Sequence, residues 1–202
     1  DISFLKSLSR REIICGYGEV LKHSLISNKK FFKFLNKNQN SILNLKSPYI
    51  EKTIFESCKI KKNIVEKDER EKGLRKVLNF GHTFAHAYEA SLDFSKKLNH
   101  GEAVILGILT ALHFSFKNKI IKKKEYNLII NHFENSILPN KINKYFKPRD
   151  LNKLLFFMAR DKKNNSKKIN LILLRKIGLP VIERQFSKNY LKLFLKKELV
   201  NL

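Results

Sequence analysis

The sequence predicts a mainly α fold, a multi-helical domain with one small β-hairpin, on three observations. Apolar residues recur at helical spacing along most of the 202 residues. One stretch, Ile169-Asn170-Leu171-Ile172-Leu173-Leu174, breaks that pattern and is followed by turn residues and a second short run. Proline is scarce, with Pro48, Pro139, Pro148 and Pro180 marking element boundaries, and no internal repeat or Pro/Gly/Ser linker divides the chain. Residues 1–202 are therefore read as one unit.

Taken in order, Arg11 to Ile26 carries Ile13, Ile14, Val20, Leu21 and Leu25 at helical spacing, and Phe31 to Leu35 forms a short helix. A clearer helix starts after Pro48, with Ile50, Ile54, Cys58 and Val65 on one face. A charged run, Glu66 to Lys72, follows, and a charge run is usually a solvated face. The next helix holds Phe84, Ala87, Ala90 and Leu92. Glu102 to Phe116 is apolar on nearly every side, which predicts a central, buried helix. Tyr126 to Phe133 and Leu151 to Met158 continue the helical pattern. The hairpin pairs Ile169–Leu174 with Val181–Arg184 across a turn at Gly178 and Pro180, and Asn189 to Leu199 closes the chain as a helix.

Composition narrows the function classes. The hydrophobic fraction of 43% can fill a core, so disorder is not expected. Lys+Arg total 42 against 18 Asp+Glu, a formal charge of +24, which by itself suits a polyanion such as nucleic acid. The lysines are spread along the whole chain among many Asn and Ile, however, and no nucleic-acid motif accompanies them. Coding sequence rich in A and T accounts for that pattern, and no nucleic-acid partner is expected; a smaller part of the excess suits a phosphorylated substrate. Cys15 and Cys58 form no CxxC pair and lie in apolar, helix-like stretches, which predicts buried free thiols in a reducing compartment. The longest apolar stretch, Ala103 to Phe116, is shorter than the ~20 residues of a membrane span and contains His113, so no membrane association is expected. No signal-peptide pattern is present, and a cytoplasmic location is expected. The chain starts at Asp1 and its one methionine is Met158, which predicts a fragment or a cut-out domain.

The chemistry-bearing residues cluster in a few segments. His82 and His86, in Asn79-Phe80-Gly81-His82-Thr83-Phe84-Ala85-His86, are four apart and share a helix face. Zinc helices of the HEXXH type share that spacing, but position 83 is Thr, so a protease would lack its general base. In His100-Gly101-Glu102 a histidine opens an apolar helix, where backbone donors favour anions. Glu19, in Gly16-Tyr17-Gly18-Glu19-Val20-Leu21-Lys22-His23, is an acid among glycines and aliphatics, costly to bury unless paired with a cation or with Lys22 one turn on. Two imidazoles and one carboxylate with an open position make a catalytic zinc set. Spacing alone does not choose among Glu19, His82, His86, His100 and Glu102. Arg75 and Asn79, four apart and just before His82, share its neighbourhood, and an Arg fork there suits a carboxylate or phosphate.

Together these segments resemble the 3-dehydroquinate synthase family. The resemblance rests on Cys58…Lys61…Ile64-Val65…Asp68-Glu69-Arg70-Glu71…Gly73-Leu74-Arg75…Leu78-Asn79-Phe80-Gly81-His82-Thr83…His86-Ala87…Glu89-Ala90. Leu98-Asn99-His100-Gly101-Glu102-Ala103-Val104, the run Gly16 to His23, and Asp161-Lys162-Lys163 match in the right order. The resemblance implies Glu19, His82 and His100 as ligands of zinc, with cobalt also suited, and it replaces the simple pairing of His82 with His86. It implies that His86 is a substrate-phosphate and proton-relay histidine, that Lys22 is catalytic, and that Glu71 orients the relay through His86. It implies substrate contacts at Lys22, Lys61, Arg75, Asn79 and Lys162 (Lys163 less so), with Lys61 and Arg75 suited to a carboxylate. The implied reaction converts 3-deoxy-arabino-heptulosonate 7-phosphate to 3-dehydroquinate and phosphate in the shikimate pathway. It proceeds by transient oxidation by NAD, phosphate elimination, re-reduction, ring opening and aldol closure. The family also implies a homodimer.

The sequence departs from the family in a few places. The family's nucleotide-binding α/β half with its glycine-rich loop has no counterpart here, since Gly16-Tyr17-Gly18 is followed at the next required position by Leu21. NAD contacts are therefore expected from outside these residues. Ser9 stands where the family usually has Pro and Gly18 where it often has Ala, both expected to be mild; Ala85 stands where Gly is frequent, which is expected to reduce close backbone approach and leave the ligands alone. Two other classes compete: a sister sugar-phosphate cyclase acting on a neutral sugar, against which Lys61 and Arg75 argue, and a non-catalytic basic nucleic-acid-binding domain, which gives no reason for Glu19, His82 and His100 to meet. A truncated, inactive remnant is a further reading, against which the intact motif set speaks.

Overall fold

The computed structural model of the chain describes residues 1–160 and 168–200. A short 3-10 turn, Ile2–Ser7, leads into α1 (Arg10–Ser27). Ser9 starts that helix with a capping box: its hydroxyl accepts from the Glu12 amide at 3.3 Å, and the Glu12 carboxylate accepts from the Ser9 amide at 2.7 Å. The departure at position 9 is thus a functioning helix cap. Asn28 ends α1 and begins α2 (Lys29–Leu43), its side chain accepting from the Lys30 and Phe31 amides. α2 is three turns longer than the Phe31–Leu35 expected. Its polar middle conceals it: Asn36 and Gln39 face inward to hydrogen-bond the buried His132, and Ile42 and Leu43 then return to the core.

α3 (Tyr49–Lys67) forms where expected, but with a different face inward. Its buried residues are Ile50, Thr53, Ser57, Ile60 and Ile64, while Cys58 is exposed and Cys15 only half-buried. The expectation of two buried thiols therefore fails. Thr53 and Ser57 can occupy core positions because each is hydrogen-bonded, Thr53 to the Tyr49 carbonyl at 2.8 Å and Ser57 to His23 Nδ1 at 2.8 Å. A second 3-10 turn, Leu74–Asn79, leads to α4 (His82–Ser91), and α5 (His100–Lys117) and α6 (Lys123–Glu134) follow. α7 (Leu151–Arg160), the strands β1 (Lys168–Lys176) and β2 (Leu179–Ser187), and α8 (Lys188–Val200) complete the described chain.

The two strands pair antiparallel, Ile169 opposite Phe186 and Leu171 opposite Arg184, and Gly178 turns the chain at φ +80°. Pro180 lies inside β2 rather than in the turn. It pairs with Leu174 next to a register shift between Leu174 and Lys176, the kind of irregularity at which a strand tolerates a residue without an N–H. The hairpin is anchored near its turn: the Leu174 amide donates to Ser115 on α5, and the Gly178 amide donates to the Leu25 carbonyl on α1.

α5 is the central helix, as its composition predicts; Ala103, Val104, Ile105, Leu106, Ile108 and Leu112 are fully buried. Glycines let α1 and α4 approach it closely. A Cβ on Gly101 would lie 2.3 Å from Cys15 Cα on α1, one on Gly18 would lie 2.9 Å from the Gly101 carbonyl oxygen, and one on Gly107 would lie 2.3 Å from the Gly81 carbonyl oxygen. Gly107 supplies the close approach between α4 and α5, so Ala85, itself fully buried, does not hold the helices apart. Gly18, by contrast, is tighter than its expected mildness suggests, because an alanine Cβ would also meet Ile105 at 2.8 Å. The architecture is mainly helical with one small antiparallel hairpin, and the described residues contain no parallel strand pair.

Candidate metal centre

Three helices carry one donor each to a common point. Glu19 lies mid-way along α1, while His82 and His100 are the first residues of α4 and α5. One ligand atom from each lies within 4.8 Å of the other two. Glu19 Oε1 is 3.8 Å from His82 Nε2. Tetrahedral zinc with bonds of about 2.0–2.2 Å holds its ligand atoms about 3.3–3.6 Å apart, so the three are poised within about 1.5 Å of that geometry.

The protonation pattern is that of a cation site. His82 Nδ1 faces the Phe80 carbonyl at 3.3 Å, an acceptor only, so Nδ1 carries the proton and Nε2 presents a lone pair toward Glu19. Burial, reinforced by the Lys22 charge, pushes the His82 imidazole down to about 3, so it is neutral at physiological pH. Glu19 Oε2 accepts from Lys22 Nζ at 2.7 Å, but Glu19 Oε1 is buried without any hydrogen-bond partner. Burial raises the Glu19 carboxyl, yet Lys22 outweighs it by charge and hydrogen bond, with His82 and His23 adding to the effect, and Glu19 stays below its usual range. An ionised oxygen and an unprotonated imidazole nitrogen therefore face each other with no donor between them. A divalent cation satisfies both, and an orphaned buried oxygen is costly without one. The salt bridge of Glu19 with Lys22 and a metal role for Glu19 are thus compatible, because each uses a different oxygen.

A cleft of about 240 Å³ opens beside these donors, lined by Glu19, Lys22, His23, Lys61, Glu71, Arg75, Leu78, Asn79, His82 and His100. Among the described residues, every site residue that the family resemblance implies lines it except His86, and the further candidate Glu102 does not. His86 is exposed one turn beyond His82, with the two rings edge-on at 5.4 Å between centroids. It is not among the three converging donors. Lys162 and its neighbour Lys163 lie outside the described residues. Glu102 serves the fold instead of the cleft: it caps α5 through the Asn99 amide at 2.8 Å and forms a paired hydrogen bond with Arg11 at 2.8 and 2.6 Å. Arg11 also donates to the Lys96 and Lys97 carbonyls, tying the approach to His100 onto α1.

The segment after α3 is organised by Asp68, whose carboxylate accepts from the Lys72, Gly73 and Arg75 amides at 2.8–2.9 Å. Those three bonds hold the Asp68 carboxyl below its usual value. They also fix the backbone of Arg75, whose guanidinium donates to the Glu69 carbonyl. Asn79 donates to Glu71 at 2.6 Å. Lys22 is buried; burial pushes its ammonium down while Glu19 opposes that. His23 was not expected in the cleft. It is buried, its Nε2 has no hydrogen-bond partner and lies 4.0 Å from Glu19 Oε2, and burial pushes it down to about 4. Its position four residues after Glu19, on the same helix face, was the available sign.

Solved structures share this fold. A 2-epi-5-epi-valiolone synthase from Streptomyces hygroscopicus subsp. jinggangensis, described with NAD+ and Zn2+ bound, superposes with a TM-score of 0.82 at 19% identity, over 98% of this chain and 54% of that one. A 2-deoxy-scyllo-inosose synthase complexed with carbaglucose-6-phosphate, NAD+ and Co2+ gives 0.79 at 20% identity, again over 98% and 54%. The chain thus shares its fold with these two synthases.

Sequence comparison then specifies the family. Residues 16–164 match the family described as 3-dehydroquinate synthase C-terminal. A 3-dehydroquinate synthase of Pelagibacter ubique is 60% identical over 199 residues, covering 98% of this chain and 54% of that protein. One from Bradyrhizobium diazoefficiens is 37% identical over 204 residues, covering 98% and 53%. The chain belongs to the 3-dehydroquinate synthase family, in its C-terminal part, and spans about half the length of the curated relatives it matches. No helix among the described residues is long and apolar enough to cross a membrane.

Proposed function

We propose that residues 1–202 form the metal- and substrate-binding unit of a cytoplasmic, homodimeric 3-dehydroquinate synthase, which converts 3-deoxy-arabino-heptulosonate 7-phosphate to 3-dehydroquinate and phosphate. The observation that carries this is the convergence of Glu19, His82 and His100 in a cleft that also holds Lys22, Lys61, Arg75 and Asn79. Glu19, His82 and His100 are the metal ligands, for zinc or cobalt, and NAD+ is bound mainly by sequence outside this chain. Bound there, zinc would lower the pKa of the substrate hydroxyl that is oxidised.

The chain's own residues do the positioning. Arg75 and Lys61 hold the substrate carboxylate, Arg75 being pre-set by the Asp68 and Glu69 contacts of its segment. Asn79, oriented by Glu71, hydrogen-bonds the substrate. Lys22 keeps Glu19 ionised and adds positive charge beside the reacting hydroxyl. His86, at the rim, takes the phosphate and relays protons to it, and Glu71 sets that relay; Lys162 adds a second cation for the phosphate.

Assay of the intact protein with that heptulosonate phosphate, NAD+ and zinc tests the reading. Release of phosphate together with 3-dehydroquinate is expected, and turnover only of a neutral sugar phosphate would reject it. Arg75→Lys should lower kcat/KM about 10- to 100-fold, since a charge-assisted hydrogen bond is worth about 1.5–3 kcal/mol and lysine lacks the planar fork.

A further inference from the structure

Outside the three proposed ligands, one buried carboxylate is aimed at the centre. Glu89 is 9% exposed, and both its oxygens face His100 Nδ1, at 3.0 and 3.1 Å. It lies seven residues after His82, so α4 presents His82 and Glu89 two turns apart on one face. That helix thus carries one candidate ligand directly and the partner of another.

We infer that Glu89 is a positioning residue for the metal centre: it fixes the ring of His100 and keeps the proton on Nδ1, leaving Nε2 as the nitrogen that binds the ion. The inference rests on the metal-site reading given above. His100 needs this restraint most of the three, because its side chain is 55% exposed and packing holds it least, whereas His82 is 13% exposed and Glu19 is tied to Lys22. A carboxylate is an acceptor only, so the Glu89 contact admits a single tautomer of a neutral His100. Its charge also makes the imidazole a more basic ligand. Glu89 cannot ligate the same ion, since its oxygens engage the far nitrogen of the ring. His82 is served by a neutral carbonyl, that of Phe80, so the two histidines are tuned unequally.

Metal affinity of the intact protein decides this, measured for Zn2+ and Co2+ by chelator competition on wild type, Glu89→Gln and Glu89→Ala. Glutamine keeps the size and an acceptor oxygen but loses the charge; alanine loses both. Dissociation constants should rise in the order wild type, Gln, Ala, reaching about 10- to 100-fold, and the Co2+ visible spectrum should shift in both variants. The melting temperature of the metal-free Gln variant should match that of metal-free wild type, which separates positioning from a packing role. Wild-type affinity and an unshifted Co2+ spectrum in Glu89→Gln and Glu89→Ala would overturn the inference while leaving the ligand set intact. If wild type itself bound no metal in the cleft, the ligand set would fail first.

Discussion

Replacing Gly101 with alanine tests the helix crossing that brings the donors together. The new Cβ would lie 2.3 Å from Cys15 Cα, 2.4 Å from the Cys15 carbonyl oxygen and 2.5 Å from Cys15 Cβ. Non-bonded carbon atoms rest about 3.5–4.0 Å apart, so α1 and α5 must separate by about an ångström, and two of the three clashing atoms are backbone that no rotamer change relieves. Overpacking of this kind costs about 1–3 kcal/mol, and the better helix propensity of alanine returns about 1 kcal/mol. With the clash at the severe end, the net loss is about 2 kcal/mol, or about 4–8 °C in melting temperature for a chain of this size. The separation also moves Glu19, one turn after Cys15, away from His100, next to Gly101, so zinc affinity should fall at least about tenfold. Gly16→Ala is the matched control: Gly16 sits on α1, next to Cys15, with nothing within 4 Å of its would-be Cβ, and the variant should raise stability by about 0.5–1 kcal/mol. Thermal unfolding and chelator competition read both variants. If Gly101→Ala kept the wild-type melting temperature and zinc affinity, the argument that glycine contacts assemble the centre would be wrong.

Arg11→Ala should weaken zinc binding while leaving Glu19 and His82 in place, because it frees Glu102 and the Lys96 and Lys97 carbonyls that hold the start of α5; unchanged affinity would make Arg11 a surface residue only. Asp68→Ala should speed amide exchange at Lys72, Gly73 and Arg75, read by mass spectrometry, and raise KM more than it lowers kcat; protected amides would refute the bracing role. His132, enclosed by Tyr17, Gln39 and Asn36, is held down at about 4 by burial, against an unfolded value near 6.5. The unfolded chain therefore takes up the proton first as pH falls. His132's contribution to stability is complete above about pH 6.5 and is lost between there and about pH 4, at a slope of up to about 1.4 kcal/mol per pH unit. An NMR titration of the His132 ring near its ordinary value would contradict this.

How much was legible in the sequence depended on what each segment had to reveal. α5 announced itself, because a helix apolar on all sides has nowhere to lie but the centre. α2 and α3 were harder to read. Asn36, Gln39, Thr53 and Ser57 occupy or serve buried positions through hydrogen bonds, and a hydrophobic pattern does not register a polar residue whose partner lies far away in sequence. That is also why Cys58 was assigned to the wrong face. Pro180 marked the hairpin but not its turn, since the accommodating register shift is a property of the strand pair. At the centre, residue types suggested a metal, but positions 19, 82 and 100 are too far apart for spacing to select them, and the likeness to a family was needed to choose. Geometry supplied the rest: the orphaned Glu19 oxygen, the second role of Glu102 and the aim of Glu89 depend on which helices cross, while His23 could have been read from its place one turn after Glu19.

X-ray absorption at the zinc edge of the loaded, intact protein interrogates that centre directly. Two imidazole rings and otherwise only oxygen neighbours, at about 2.0–2.2 Å, should surround the ion, with one imidazole lost in His82→Ala. A sulfur neighbour at about 2.3 Å, or a spectrum indifferent to His82, would mean that the ion is held elsewhere and that Glu19, His82 and His100 do not bind it.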